Sequence, residues 1–177
     1  MIIWINGAFG SGKSGTAQEL HRRIPHSFIF DPENAGYYIR DNIPQEISKE
    51  DFQEYALWRQ MNGSMLKYIT SEYSGTIIVP MTIVEHDYFD EICGELEREG
   101  VTIHHFTLCA ARETLLERLR SRGEDEDSWA ARQIDRCLKG HEHEAFKDYV
   151  NTDGLSLREV AELIAESVGI NLQPATT

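Results

Sequence analysis

The chain has few cysteines and no long apolar run, and each shortage excludes a class of protein. Its three cysteines, Cys93, Cys109 and Cys137, are widely spaced and odd in number, so they suggest neither a disulfide framework nor a metal site. No stretch approaches the ~20 apolar residues of a membrane span. The N-terminal apolar run is too short for a signal peptide and has no basic flank. We therefore expect a cytoplasmic protein without a membrane span.

Basic residues are also scarce. Thirty Asp and Glu residues face seventeen Lys and Arg residues, which gives a net charge of −13. Sequence-independent binding of nucleic acid needs a basic surface, so we expect no nucleic-acid partner, although a local pocket for a small polyphosphate remains possible. With 177 residues and no linker, repeat or low-complexity stretch, the chain predicts a single domain over residues 1–177. The oligomeric state is not indicated by the sequence.

The strongest motif lies in the first 14 residues. An apolar run at residues 2–5 precedes a full match to the phosphate-binding pattern G-x-x-x-x-G-K-[ST], and a helical pattern follows it. The glycines let backbone N–H groups close around an anion. Lys13 would place its charge at the β- and γ-phosphates and act in catalysis, while Ser14 would offer its hydroxyl to Mg²⁺. The predicted ATP-binding residues are Gly7, Ala8, Phe9, Gly10, Ser11, Gly12, Lys13 and Ser14.

Apolar runs alternate with helical patterns along the rest of the chain. Short strands are predicted at about 2–5, 27–30, 76–79, 101–108 and 149–150, with helices between them. This order indicates an α/β fold in which parallel strands are joined by crossover helices.

Several helix ends can also be predicted. A capping box of Ser48 and Asp51 is expected to begin a helix over 51–73, Ser128 to begin one over 129–138, and Ser156 with Glu159 to begin the last helix. Residues 169–177 have the pattern of a frayed end.

Asp31 follows the second predicted strand and precedes Pro32, which cannot extend a central strand. Since ligands of open α/β sheets bind at the carboxyl ends of the strands, Asp31 is expected beside the phosphate loop. There it would be catalytic, accepting a proton from an attacking hydroxyl, or would hold Mg²⁺, directly or through water. The alternative is a loop aspartate that caps a turn.

Two pairs of arginines indicate a mobile lid over about 118–136. Arg118 and Arg122 share one helix face, and Arg132 and Arg136 repeat the spacing on the next helix, with Gly123 as a hinge between them. Such a lid would close over the triphosphate and stabilise the transferring group, which makes Arg118 and Arg122 candidate catalytic residues. The alternative is a solvated network of ion pairs with neighbouring carboxylates.

Residues 33–73 are rich in aromatic and apolar side chains and are predicted to bind a phosphate acceptor that has a hydrophobic part. Besides Asp31, the acceptor-binding candidates are Tyr37, Arg40, Trp58, Arg59 and Met61. The alternative is that the apolar members belong to the core.

Other features point away from a motor or AAA-type ATPase and from a metal site. The third strand ends Val79-Pro80-Met81-Thr82, without the aspartate that such ATPases place there, which favours a small kinase. His104 and His105 alternate along a strand and cannot share a ligand, and His141 with His143 is expected at the surface.

Longer segments resemble a known family. WINGAFGSGK, FDPENAG, ETLLERLRSR, SWAARQIDRC and TDGLSLREVAE are similar to the bacterial tunicamycin-resistance protein family, a branch of the nucleoside-monophosphate kinase-like P-loop proteins. The resemblance covers residues 1 to about 168. It implies a three-layer P-loop NTPase fold with strand order 2-3-1-4-5 and a helical lid. It also implies binding of ATP and Mg²⁺ and protection against tunicamycin, a nucleoside antibiotic with a fatty-acyl chain.

The resemblance also implies roles for individual residues. Asp31 corresponds to the base or magnesium carboxylate, and Arg118 and Arg122 to lid arginines. The loop that contains Asn151 and Asp153 would lie near the adenine. The acyl chain would suit a surface around Tyr37, Trp58, Met61 and Met65.

Three functions remain open at this point. The chain would transfer the γ-phosphoryl group of ATP to tunicamycin or a similar nucleoside, sequester the antibiotic in an ATP-dependent manner without chemistry, or phosphorylate an ordinary metabolite.

Overall fold

The computed structural model describes residues 1–174, so the last three residues of the predicted domain lie outside the described part. Within the described residues the strands are β1 (Ile2–Gly7), β2 (Ser27–Ile29), β3 (Thr76–Pro80), β4 (Ile103–Cys109) and β5 (Tyr149–Asn151). The helices are α1 (Lys13–Arg23), α2 (Glu33–Asp41), α3 (Ala56–Glu72), α4 (His86–Arg98), α5 (Arg112–Ser121), α6 (Trp129–Gly140) and α7 (Leu157–Ser167).

All five strands are parallel and lie in the order β2-β3-β1-β4-β5, which confirms the α/β fold and the strand order 2-3-1-4-5. The central strand β1 is buried on both faces, as its continuous apolar run requires. Ile2 and Trp4 face a core that contains side chains of α3 and α4. Ile3 and Ile5 face a second core that contains side chains of α1 and α7. The sheet is therefore the middle of three layers.

The helix caps predicted at Ser128 and Ser156 are confirmed. Ser128 Oγ accepts a hydrogen bond from the Ala131 N–H, and Ser156 forms both halves of a capping box with Glu159. The prediction of a helix cap at residues 48–51 is wrong. The Asp51 carboxylate accepts from the Gln53 N–H and begins a short 3₁₀ turn at Phe52–Glu54, so α3 starts only at Ala56.

The expectation of a frayed C-terminal segment is wrong for residues 169–174. After α7, Ile170 and Leu172 pack against the core between α1 and α7. The Gln173 N–H donates to the Arg23 carbonyl, and Arg23 Nε donates to the Gln173 carbonyl, both at 2.9 Å. Residues 175–177, which the same expectation covered, lie outside the described residues.

Asn6, at the carboxyl end of β1, joins four parts of the chain through its fully buried amide. Its Oδ1 accepts from the N–H groups of Gly7 (2.8 Å) and Ile83 (2.9 Å), and its Nδ2 donates to the Ile83 carbonyl at 2.8 Å. The Nε2 atoms of His105 and His141 lie 3.2 Å from Nδ2 and 3.1 Å from Oδ1. The amide thus ties the start of the phosphate loop to the turn after β3, to β4 and to the end of α6.

The two histidines are neutral parts of this buried network. Burial lowers the pKa of each imidazole to about 4. Since the amide orientation is set by its backbone partners, the His141 Nε2–H donates to Oδ1 and His105 Nε2 accepts from Nδ2. The prediction that His141 lies at the surface is wrong, because only 4% of it is exposed.

The network should make Asn6 more important for stability than the equally buried Asn62. Replacing Asn6 by Ala leaves buried backbone groups of Gly7 and Ile83 without their partner, so we expect the free energy of unfolding to fall by about 3–5 kcal/mol. Asn62→Ala is the matched control. Asn62 is equally buried, but its side chain donates one hydrogen bond, to the Trp58 carbonyl. Replacing it by Ala should lower the free energy of unfolding by about 1 kcal/mol. Urea unfolding measures both values, and equal losses would contradict the prediction.

Candidate functional site

A cavity of about 790 Å³ opens beside the phosphate loop, where the turn after β3 also lies. Its floor is the loop itself, and one wall is formed by the start of α2 and residues 48–53. The opposite wall is formed by the end of α5 and the start of α6. The lining residues used below are Phe9, Lys13, Ser14, Glu33, Tyr37, Arg40, Asp51, Phe52, Gln53, Arg122 and Trp129.

The phosphate loop has the backbone that an anion cradle needs. Gly10 and Gly12 have φ values of 84° and 99°, which side chains with a Cβ rarely adopt. A Cβ on Gly10 would lie 2.6 Å from the Leu115 carbonyl oxygen, so the loop also packs closely on α5. Helix α1 begins at Lys13, and its free N–H groups and dipole favour a phosphate at this point.

Lys13 is folded back onto the loop. Its Nζ donates to the carbonyls of Gly7 (2.9 Å) and Ala8 (3.0 Å), and it lies 5.4 Å from the centre of the Phe9 ring. Burial lowers the pKa of the ammonium group to about 8. A triphosphate would therefore exchange these two carbonyl contacts for phosphate oxygens.

The residues present fit a nucleotide with magnesium. The Ser11 hydroxyl is buried and has no partner within residues 1–174, and the Ser14 hydroxyl lies on the cavity wall. The described chain holds no group of three or more acidic, histidine or cysteine side chains arranged for a metal. Magnesium would therefore be bound by Ser14 together with the phosphate oxygens of the nucleotide, a common arrangement for this ion.

Asp31 lies just beyond β2, and one of its carboxylate oxygens caps the turn that follows. Its Oδ1 accepts from the Glu33 N–H at 3.0 Å, which is the turn-capping alternative considered for this residue, and its second oxygen remains available. The side chain is half-buried and is not among the residues that line the cavity.

Glu33 is a site residue that the sequence reasoning missed. It lines the cavity, and the Tyr37 hydroxyl donates to its Oε2 at 3.4 Å. Burial, followed by the charge of Asp31, raises the pKa of its carboxyl, and Lys13 opposes the rise. The sequence signal was a second carboxylate two residues after Asp31, in the first turn of α2.

The two predicted catalytic arginines occupy different positions. Arg118 donates to Thr152 Oγ1 at 2.9 Å and to the Thr152 carbonyl at 2.7 Å, and lies 3.5 Å from the Gly10 carbonyl. It therefore links the phosphate loop to the loop after β5. Arg122 lines the cavity, and its charge contributes to the lowered pKa of Lys13.

Asn151 and Asp153 shape the loop after β5. Asn151 Oδ1 accepts from the Asp153 N–H, and Asp153 Oδ2 accepts from the Ala111 N–H, each at 2.9 Å. Hydrogen bonds from Thr114 and Ala111 lower the pKa of Asp153. The loop is continuous with Leu157, which packs against Gly12 and Gly15, so it lies next to the phosphate loop, and its contact with adenine stays a prediction.

Arg132 and Arg136, the predicted lid residues of α6, form hydrogen bonds with other parts of the chain. Arg132 donates to the Asp127 carbonyl at 2.8 Å. Arg136 donates to Asp51 Oδ2 at 2.7 Å and so contacts the opposite wall of the cavity. Neither is among the residues that line the cavity.

The acceptor-binding candidates divide into two groups. Tyr37 and Arg40 line the cavity and pack on Phe52, the tyrosine edge-to-face at 5.0 Å and the guanidinium over the ring at 4.3 Å. Trp58 is fully buried and donates to the Pro32 carbonyl at 2.8 Å. Arg59 is buried against Glu91, with 2.6 Å between Nε and Oε2.

The structure therefore corrects two of these assignments. Trp58 and Arg59 are buried and held by partners within the fold, so their side chains are not placed to contact an acceptor. Met61 is half-buried against the core, and Met65 is exposed on α3. The density of apolar residues that suggested an acceptor site comes largely from the packing of α3.

Trp129 is a second cavity residue that the sequence reasoning missed. It is the first residue of α6, and its ring meets Phe9 of the phosphate loop edge-to-face at 5.1 Å. The contact brings the start of α6 directly against the loop that would hold the triphosphate.

Comparisons with known proteins bear on the family and on the fold. A family described as AAA domain matches residues 2–143. The chain is similar to the solved structure of the Deinococcus radiodurans tunicamycin resistance protein, at 38% identity over 98% of both chains with a TM-score of 0.82. No curated protein matches the chain.

More distant solved structures share the fold. A gluconokinase from Sinorhizobium meliloti 1021 is 16% identical over 94% of this chain and 90% of its own, with a TM-score of 0.64. A shikimate kinase from Bacteroides thetaiotaomicron is 17% identical over 96% of this chain and 99% of its own, with a TM-score of 0.60.

None of the helices in the described part of the chain is long and apolar enough to cross a membrane.

The lowered pKa of Lys13 predicts that nucleotide affinity depends on pH. Above about pH 8 the ligand-free protein loses the ammonium charge that a triphosphate needs, so binding must take up a proton and the affinity falls by at most about tenfold per pH unit. Calorimetric titration of a non-hydrolysable ATP analogue from pH 7.5 to 9.5 measures this. Lys13→Met, the control, should bind weakly at every pH, and an unchanged wild-type Kd across the range would refute the prediction.

Trp129 should report on occupation of the cavity. Trp4 and Trp58 are fully buried and donate to internal carbonyls, whereas Trp129 lines the cavity. Binding of an ATP analogue should therefore change the tryptophan emission of the wild type, and the change should disappear in Trp129→Phe. A change that survives in this variant would assign the signal to Trp4 or Trp58.

Proposed function

Because the chain belongs to the tunicamycin-resistance protein family of P-loop proteins, we propose that it binds ATP and transfers the γ-phosphoryl group to a hydroxyl of tunicamycin or a similar nucleoside antibiotic. The observation that carries the proposal is one cavity with a phosphate loop on its floor and an aromatic wall beside it. Donor and acceptor would meet between Lys13 and Tyr37.

The donor half consists of the phosphate loop, Lys13, Arg118 and Arg122. The loop N–H groups would hold the phosphates, and Lys13, released from the Gly7 and Ala8 carbonyls, would stabilise charge on the transferring group. Arg122 would add its charge from the opposite wall. Magnesium, bound by Ser14 and assisted through water by Asp31, would supply charge neutralisation at the phosphates.

The acceptor half uses the carboxylates that follow β2. The sequence predicts Asp31 as the base, but the position of Glu33 on the cavity wall favours Glu33 for this role, with Asp31 holding the turn. The acceptor O–H bond breaks and its proton passes to the carboxylate. The oxygen forms a bond to the γ-phosphorus, and the bond to the bridging oxygen breaks, so that ADP leaves with the electron pair. Tyr37, Arg40 and Phe52 would contact the body of the acceptor.

The proposal predicts a gain of one phosphoryl group. Tunicamycin incubated with the protein and Mg-ATP should gain that mass in mass spectrometry. Glu33→Gln should lower kcat by about 100-fold or more, as loss of a general base does, with a smaller effect on the Kd of the ATP analogue. Asp31→Asn should reduce activity less. Glu97→Gln, a charge removal on the exposed face of α4, is the matched control and should keep full activity.

The same experiment separates the other two functions. Tunicamycin that binds and protects without gaining mass would replace the kinase by sequestration. Transfer to sugars or ordinary nucleosides in place of tunicamycin would identify a metabolite kinase. If Asp31→Asn abolishes transfer and Glu33→Gln does not, the base is Asp31.

A further inference from the structure

Helix α6 contacts both halves of the cavity. At its start, Trp129 packs on Phe9 of the phosphate loop. Two turns later, Arg136 donates to Asp51 Oδ2 on the acceptor-side wall, at 2.7 Å. At its end, Gly140 packs so closely on the turn after β3 that a Cβ would lie 2.7 Å from Val84 Cβ. One helix thus joins the donor side, the acceptor side and the sheet.

The acceptor-side wall depends on the carboxylate that Arg136 contacts. Asp51 is 7% exposed, and its two oxygens also accept from Gln53, from the backbone N–H at 3.1 Å and from Nε2 at 2.8 Å. Gln53 in turn accepts from the Val84 N–H at 3.1 Å and from Arg59 at 2.6 Å. We call Asp51, Gln53 and Arg136 the clamp, and its first two members line the cavity.

Arg136 is the only member of the clamp that belongs to α6. Its charge compensates an almost fully buried carboxylate, and loss of one partner of such a pair leaves the other uncompensated. Without Arg136, residues 48–53 would keep their internal hydrogen bonds but lose their direct ion pair with α6. The two walls would then be joined only indirectly, through Gln53, Val84 and Gly140.

We propose that Arg136 is a positioning residue that couples nucleotide binding to the order of the acceptor-side wall. A nucleotide that fixes the phosphate loop also fixes Phe9, Trp129 and α6, and the clamp passes this restraint to residues 48–53. By linkage, an acceptor that contacts the wall strengthens nucleotide binding by the same factor. The second statement rests on the proposed function, whereas the first requires only that the phosphate loop binds a nucleotide.

Hydrogen exchange of the whole protein tests the coupling with an ATP analogue alone. In the wild type the analogue should slow amide exchange in the phosphate loop and also, by about fivefold, in residues 48–53. In Arg136→Met the loop should still be protected and residues 48–53 should not. Arg112→Met is the matched control, because Arg112 pairs with Asp135 of α6 at 2.8 Å on the exposed side of the same helix. It should behave as the wild type.

A second measurement uses the acceptor. Tunicamycin should tighten binding of the analogue by about fivefold in the wild type and by less than about twofold in Arg136→Met, with the Kd of the analogue alone unchanged. The proposal would be overturned if the analogue protected residues 48–53 equally in both proteins, or if it did not protect these residues in the wild type. A loss of analogue affinity of about tenfold in Arg136→Met would also overturn it. If the analogue protects residues 48–53 of the wild type as expected but no phosphoryl group is transferred, only the proposed function is refuted.

Discussion

The hydrogen bonds of Asn6 are the constraint on which the site depends. They begin the phosphate loop at a fixed point and hold the turn after β3 beside it. They also reach His141, the residue that follows α6. The loop glycines give the backbone freedom to surround an anion, and the buried amide restricts that freedom to one starting geometry. A flexible loop on a rigid anchor is suited to binding a ligand with many oxygens in a fixed position.

Local sequence signals predicted much of this arrangement. The phosphate loop, the parallel strands, and the caps at Ser128 and Ser156 depend on residues close in the chain. Contacts between distant residues decided the rest. Asp51 and Arg136 are 85 positions apart, and their pairing helps to explain why Asp51 begins a short turn and not α3. Trp58 and His141 have side chains that suit a binding site, and only the tertiary packing shows that both are buried.

The candidate site combines opposite charges within an acidic protein. Lys13 and Arg122 face a cavity that also contains Glu33 and Asp51, and the net charge of the chain is −13. Lys13 and Arg122 lie beside the phosphate loop, where phosphates would bind, whereas Glu33 lies at the start of α2, on the wall that also carries Arg40. This separation suits phosphoryl transfer, in which one side of the site must stabilise negative charge and the other must accept a proton.

The docked segment after α7 has a practical consequence for attaching labels to the protein. Gln173 pairs with Arg23 at the far end of α1, and α1 starts at the phosphate loop. Because this helix is 11 residues long, Arg23 lies about 15 Å from the loop, toward the amino ends of the strands. A fluorophore or surface-immobilisation tag joined on the C-terminal side of Gln173 would therefore be anchored away from the cavity mouth, and its attachment point would not obstruct the entry of a ligand.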